Sequence, residues 1–396
     1  MRFLSIHNRY VFAGGEDVSC GTEDTLLEAA GHNVARYRQD NREILLYSPW
    51  RMPFLALRTV WSMREYRRIR RAIRRCQPDI VDVHNFFPLI SPAAHYAAAA
   101  EGVPSVQTLH NYRLLCPGAL FYRDGIVCEE CLQCGHLLPA IHHACYRHSR
   151  SATTVVSAMI LLHRFAGTWS KRVGHFVVLS EFQKAKFVEA GFPPDRMTVK
   201  PNCIVPDPLP GPEEGRQYAI FAGRLSPEKG LAAVARAWRQ LPNPPNLKII
   251  GAGQQEGKLR ASFAGCQSVE FLGTQPPEKT YELMGKAAFL LFPSECFETF
   301  GRTVVEAYAK ATPVIASRSG AVAEIVQEGK TGLLFTPGNV DELTARIEWA
   351  VANPLFMRQM GRNARREFES KYTAAHNYQL MMTIYDAARR AHVPSV

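Results

Sequence analysis

Short apolar runs alternate with amphipathic stretches along most of the chain. In the first half the strand-like runs at 3–6, 80–84, 105–109 and 176–179 have the length and apolar cores of buried strands. The stretches at 16–30, 64–76, 93–101 and 181–190 carry apolar residues at spacings of three and four, the period of a helix with one buried face. A proline-rich stretch at 206–212 interrupts the pattern, which then restarts. Strands are expected at 219–222, 248–250, 288–292, 313–316 and 333–335, and helices at 230–241, 255–263, 277–286 and 303–310. Buried strands separated by helices predict an α/β protein of two Rossmann-like, doubly wound domains, each a parallel sheet with helices on both faces. The expected boundaries are 1–205 and 206–373, followed by a segment 374–396 whose helix, at 374–391, could pack across both domains. Ligands of such domains bind beyond the carboxyl ends of the strands, here in a cleft between the two.

Composition narrows the classes. With 396 residues the chain exceeds one ordinary core, and 46% hydrophobic with 21% charged residues is globular. No run reaches the roughly 20 apolar residues of a spanning helix. The first residues read as a strand rather than a signal peptide, so the expected location is the cytoplasm, with peripheral attachment to the inner face of a membrane as an option. The net charge of +11 is uneven: from Arg58 to Arg75 there are eight arginines against Glu65 alone. Met63, Tyr66, Ile69 and Ile73 recur there at helical spacing, with Trp61 just before. Either the stripe packs on the domain with solvated arginines outside, or the helix docks on an anionic membrane surface, where each basic residue is worth about 1 kcal/mol. Nucleic acid fits less well, because no binding motif accompanies the charge.

Two segments of the second half carry the densest chemistry. Residues 221–230 read Phe-Ala-Gly-Arg-Leu-Ser-Pro-Glu-Lys-Gly, which puts Arg224 and Lys229 just after a strand, where two cations can hold a diphosphate. Residues 293–306 place Glu298 and Glu306 on either side of Gly301, which opens a helix whose first amides suit an anion. Two such carboxylates can grip different hydroxyls of one ligand. In the first half, Gly14 and Gly15 stand in an Ala13-Gly-Gly-Glu16 turn between strand and helix, and His110 ends the strand 105–109. Gly251 and Gly253 lack the rest of a dinucleotide fingerprint and are read as packing, near a donor base at most. Asp79 and Asp82 flank apolar residues and make no paired-aspartate metal site.

The Gly-Arg-Leu-Ser-Pro-Glu-Lys-Gly segment, the Glu298-x7-Glu306 spacing and the run Pro-Val-Ile-Ala-Ser at 313–317 resemble the GT-B retaining glycosyltransferases of family 4. The resemblance implies that Arg224 and Lys229 hold the donor diphosphate and Glu306 the ribose. Glu298, with the amides around Phe300 and Gly301, would hold the transferred sugar. It places His110 beside that sugar and the Gly14–Gly15 loop along the cleft, and makes His110, Glu298, Arg224 and Lys229 the catalytic group. Ala311 and Ala321 depart from glycines usual in the family, which implies altered turns rather than lost binding. The implied reaction moves a sugar, with retention and no catalytic metal or cofactor, from a nucleotide sugar to a saccharide acceptor. A lipid-linked acceptor in cell-surface polysaccharide synthesis is the leading form. The alternatives are a phosphorylase-like GT-B enzyme, and a non-catalytic protein binding membrane or nucleic acid.

Five of the ten cysteines lie between Cys116 and Cys145. In a reducing compartment such spacing points to metal before disulfides. Cys116, Cys128, Cys131 and Cys145 are the preferred ligands of a structural Zn²⁺, with Cys134 spare; unligated thiols and an iron–sulfur cluster remain open. This insertion, at about 111–150, is expected to wall the acceptor side.

Overall fold

The computed structural model of the protein describes residues 1–11 and 14–391; Ala13 and the end of the 374–396 segment lie outside them. Two compact units emerge. The first comprises Met1–Phe121, Glu129–Pro201 and the chain from Asn377 onward, and the second Tyr122–Cys128 with Asn202–His376.

In the first unit, six parallel strands run in the order β2 (Asn33–Asp40), β1 (Arg2–Arg9), β3 (Ile80–Asn85), β4 (Ser105–Thr108), β7 (His175–Val178) and β8 (Met197–Val199). β3 lies inside the sheet and every one of its residues is buried, the polar Asp82, His84 and Asn85 included. β2 was not expected from the sequence. It is an edge strand, and its arginines Arg36 and Arg38 both engage the buried Asp24 instead of a core. The helix Ala374–Ala391 returns to this unit, where Met381, Ile384 and Tyr385 pack on Phe3, Ile80 and Val177. Its Tyr385 hydroxyl donates to Asp82 at 2.7 Å.

The arginine-rich segment divides in two. The helix Met63–Cys76 is capped by Ser62, whose hydroxyl accepts from the Glu65 amide at 3.3 Å. It buries Ile69 and Ile73 as the spacing predicts, but Met63 is exposed and adds nothing to the stripe. Arg58 belongs instead to the preceding helix Met52–Val60 and is not a solvated charge. It donates to the Leu89 carbonyl at 2.8 Å and pairs with Glu43 and Glu65. Among the described residues no helix is long and apolar enough to cross a membrane.

In the second unit the sheet order is β11 (Val269–Gly273), β10 (Asn246–Ile250), β9 (Tyr218–Ala222), β12 (Ala287–Phe292), β13 (Val314–Ser317) and β14 (Gly332–Phe335), again all parallel. The core beneath it gathers Val234, Ala237 and Trp238 of the helix Leu231–Gln240 against Phe221, Ile249 and Phe289. A short antiparallel hairpin, β5 (Tyr122–Arg123) with β6 (Ile126–Val127), groups with this unit. Because the strands of each sheet are parallel, all their carboxyl ends open on one edge, and the loops carrying the candidate residues share that edge.

Candidate active site

In the second unit three loops meet at the carboxyl ends of β9, β12 and β13, and glycines let them touch. A Cβ on Gly230 would lie 1.9 Å from the Pro293 carbonyl oxygen, and Gly230 has φ +70°. A Cβ on Gly320 would sit 2.9 Å from the Glu298 carbonyl oxygen, while the Ala321 amide donates to that oxygen at 3.1 Å. Gly251 and Gly253 abut the backbone of Gly223 and Leu225 in the same way, so the packing role read for them is what the backbone shows.

This arrangement brings Lys229 and Glu298 into direct contact, with the Ser294 hydroxyl donating to the same carboxylate oxygen at 2.6 Å. Burial alone would raise the Glu298 carboxyl, but the Lys229 ammonium holds it below the usual range. Burial likewise opposes the Lys229 charge, and Glu298 reverses that and raises it. Arg224 is exposed and reaches Glu228 at 3.3 Å, leaving its guanidinium open to a ligand. Gly301 caps the helix Arg302–Ala309 in the left-handed region, with φ +94°. Phe300 is buried against Tyr372, so it can offer a ligand only its backbone. Glu306 pairs with Arg302 at 3.0 Å and bonds Tyr281; burial raises its carboxyl even so. Ser294, Tyr281 and Arg302 were not singled out from the sequence, since nothing in a lone Ser, Tyr or Arg distinguishes it there.

The first unit holds a buried polar chain. Tyr385 donates to Asp82, whose carboxylate lies 3.4 Å from His84 Nε2, and His84 Nδ1 is 3.0 Å from His110 Nε2. The 3.4 Å pair is close enough for charge attraction but not aligned as a hydrogen bond, and His84 Nε2 has no hydrogen-bond partner. Burial depresses the His84 imidazolium, but Asp82 together with Glu23 and Asp24 outweighs it and the net shift is upward. His110 is driven well down, by burial first and then by His84. Asp82 and His84 stand two apart on β3 and so face one side of the sheet, a spacing visible in the sequence that drew no attention.

Beside this chain Glu16 accepts from Tyr10 at 3.1 Å and Asn111 at 3.3 Å, while its other oxygen is buried with no partner. Burial raises its carboxyl to about 7. Gly14 is extended, with open space where a Cβ would stand, and Asp17 caps its amide at 3.0 Å; no close approach requires a glycine there. Gly15 is the first residue of the helix Gly15–Ala29.

Of the cysteines, Cys116, Cys145 and Cys134 all act on the Cys131 thiol, which burial pushes up to about 12. A Cβ on Gly118 would touch both Cys116 Sγ and Cys145. Cys128 closes the hairpin segment of the second unit. Among the described residues, the three potential ligand atoms that converge within 4.8 Å belong to Glu23, Asp82 and His84, not to cysteines. That trio already holds a cation, since Lys200 bonds Glu23 at 2.6 Å. Among the described residues of the first unit, Cys116, Cys131 and Cys145 do not converge within 4.8 Å of one another.

Residues 25–207 match the family model described as Glycosyltransferase Family 4, and residues 209–367 match Glycosyl transferases group 1. The chain belongs to the family 4 glycosyltransferases. Both halves of a GT-B protein are thus accounted for, and solved structures agree on the fold. Anabaena HepE in complex with UDP superposes with a TM-score of 0.70 at 17% identity, covering 98% of this chain and all of that one. The lipopolysaccharide outer core galactosyltransferase WaaB gives 0.63 at 17% identity, covering 98% and 99%. Among curated proteins, the sulfoquinovosyl transferase SQD2 of Arabidopsis thaliana is 30% identical over 179 residues, 44% of this chain and 34% of that one. The chain thus matches less than half the length of such curated relatives as SQD2 and an uncharacterized Methanocaldococcus jannaschii glycosyltransferase.

Proposed function

We propose that this family 4 protein transfers a sugar from a nucleotide-diphosphate sugar to a saccharide acceptor, with retention and without a catalytic metal. The contact of Lys229 with Glu298 at the strand ends of the second unit carries the reading. It pairs a cation suited to a leaving diphosphate with a carboxylate suited to sugar hydroxyls, and a helix amino terminus at Gly301 adds amide donors for the anion. In this reading Arg224, exposed at the same loop, closes on the diphosphate, and Glu306 holds the ribose.

Retention follows if the acceptor hydroxyl attacks the face from which the diphosphate departs, a phosphate oxygen taking the proton. No protein nucleophile is then needed, and positioned charge lowers the barrier. In the first unit the proposed catalytic group is His110. A lipid-linked acceptor in cell-surface polysaccharide synthesis is the proposed setting, supported by the likeness to a lipopolysaccharide galactosyltransferase.

The test is a thermal-shift panel of UDP-, GDP- and ADP-sugars on wild type and Glu306→Ala, beginning with UDP because HepE was solved with it. A ligand at about a hundred times its Kd adds about 2.7 kcal/mol to stability, which is readily seen. A shift in wild type that weakens in the variant supports the reading. If phosphate or free sugar stabilises the chain and no nucleotide does, a phosphorylase-like activity replaces it.

For the cysteine segment we propose one structural Zn²⁺ held by Cys116, Cys128, Cys131 and Cys145. Their spacing supports it, as does the proximity of Cys116 and Cys145 to Cys131, and the site forms only if the thiols turn inward on loading. Purified chain without about one zinc per molecule by elemental analysis would overturn this.

A further inference from the structure

We propose that residues 45–57, with the end of the helix Arg150–Phe165, form a docking surface for an anionic lipid membrane. The proposal deepens the transferase reading, since a lipid-linked acceptor gives such a surface its purpose. It also moves that surface off the arginine helix, whose Ile69 and Ile73 are buried.

The helix Met52–Val60 buries only Leu55 and Thr59 and leaves Phe54 and Leu57 in solvent. Just before it Leu46 and Trp50 are 83% and 86% exposed. Single exposed apolar residues are ordinary, but four large ones within twelve positions are a patch that wants a partner. The end of the helix Arg150–Phe165 extends it. His163 Nε2 sits 2.9 Å from the Val60 carbonyl oxygen, anchoring that end to the end of Met52–Val60, and two residues later Phe165 is 94% exposed.

Charge selects the partner. Between 42 and 75 there are ten arginines and two acids, Glu43 and Glu65. Both acids are occupied, Glu43 by Tyr47 and Arg58, Glu65 by Tyr37 and Arg58. Among the described residues, the exposed Arg42, Arg51, Arg67 and Arg71 have no carboxylate within ion-pair distance; Arg51 lies over the Tyr47 ring. Trp, Phe and Leu beside unpaired arginines are the makeup of an element that lies in a headgroup layer, the apolar side chains entering the acyl boundary and the cations meeting phosphates. At nine residues, about 14 Å, the helix can rest in the interface and cannot span it.

The test is flotation of the full chain with vesicles of phosphatidylcholine, alone or with phosphatidylglycerol. Wild type should float with the anionic vesicles and release as salt rises. Trp50→Ser with Phe54→Ser should weaken partitioning by about tenfold or more, and Arg42→Glu with Arg51→Glu should remove the preference for phosphatidylglycerol. Each variant should keep the wild-type UDP-induced thermal shift, showing an intact fold and donor site. Wild type left at the bottom of the gradient with both vesicles overturns the proposal. So does flotation that neither pair of substitutions changes. If the Ser variants instead convert a dimer to a monomer in sedimentation and flotation is unaffected, the patch is a self-interface and the membrane reading falls. Vesicle binding that behaves as expected in a chain no nucleotide stabilises would sink the transferase reading and leave this surface standing.

Discussion

The Lys229 ammonium touches the Glu298 carboxylate across 69 residues of sequence, and Ser294 donates to the same oxygen. In the proposed function a bound diphosphate competes with Glu298 for this cation. Lys229→Ala should therefore weaken UDP binding by about 10- to 100-fold, the worth of one charge-assisted hydrogen bond. Glu298→Gln should leave UDP affinity equal or tighter while erasing the preference for UDP-sugar over UDP. Calorimetric titration separates the two, and a Lys229→Ala chain that binds UDP as wild type does would remove Lys229 from the site.

The Asp82–His84–His110 chain makes a pH prediction. His84 is raised by Asp82 against burial, so its protonated form contributes stability that is complete below the ordinary value of 6.5 and is lost as pH rises through the folded value. In Asp82→Asn the main upward pull is gone and only those of Glu23 and Asp24 remain. The alkaline limb of the transfer rate should then move to lower pH by about one unit, with the donor KM little changed. The variant should also lose less stability at pH 9 than at pH 6. A limb that stays where it is would reduce Asp82 to a structural role.

Glu16 is held at about 7 by burial against an ordinary 4.5. The folded state favours its neutral form, so its contribution is whole below 4.5 and is lost as pH climbs through 7. Glu16→Gln mimics the neutral acid. It should raise the melting temperature at pH 8, by roughly 2 kcal/mol of stability once partial solvent access is discounted, and leave it unchanged at about pH 4. Equal melting temperatures at both pH values would show that burial does not tax this carboxyl. If transfer also falls in the variant, that cost is retained for function.

Gly230 and Gly14 should behave oppositely. Gly230→Ala places a Cβ 1.9 Å from the Pro293 oxygen at a positive φ, where the conformation alone costs about 1–2 kcal/mol. It should lower the urea midpoint and abolish nucleotide binding together. Gly14→Ala meets nothing and should do neither. A Gly230→Ala chain with normal UDP binding would mean that the two loops need not touch.

Most strands and helices were legible because each hides one continuous apolar face. β12 reads as an unbroken apolar run, and the helices Leu231–Gln240 and Glu181–Glu189 as periodic ones. The edge strands β2 and β11 were not, since one flank of each lacks a neighbour and their side chains answer to ion pairs and solvent rather than to core. The residues proposed for the donor site were legible as a motif: Arg224, Lys229, Glu298 and Glu306 stand out by spacing.

What the sequence by itself determined is the alternation that makes two parallel sheets, and the residue types gathered at their strand ends. Short-range periodicity decides both, because burial of a strand or a helix face is a local pattern. Tertiary structure alone decided that Lys229 is met by Glu298, that His84 stands between Asp82 and His110, and that Arg58 is spent on Glu43 and Glu65. It also decided that Leu46, Trp50, Phe54 and Leu57, before the arginine helix, are exposed while Ile69 and Ile73 on it are buried. Such partnerships depend on which strands lie adjacent and how far a side chain reaches, and no spacing along the chain encodes a contact between residues 69 positions apart.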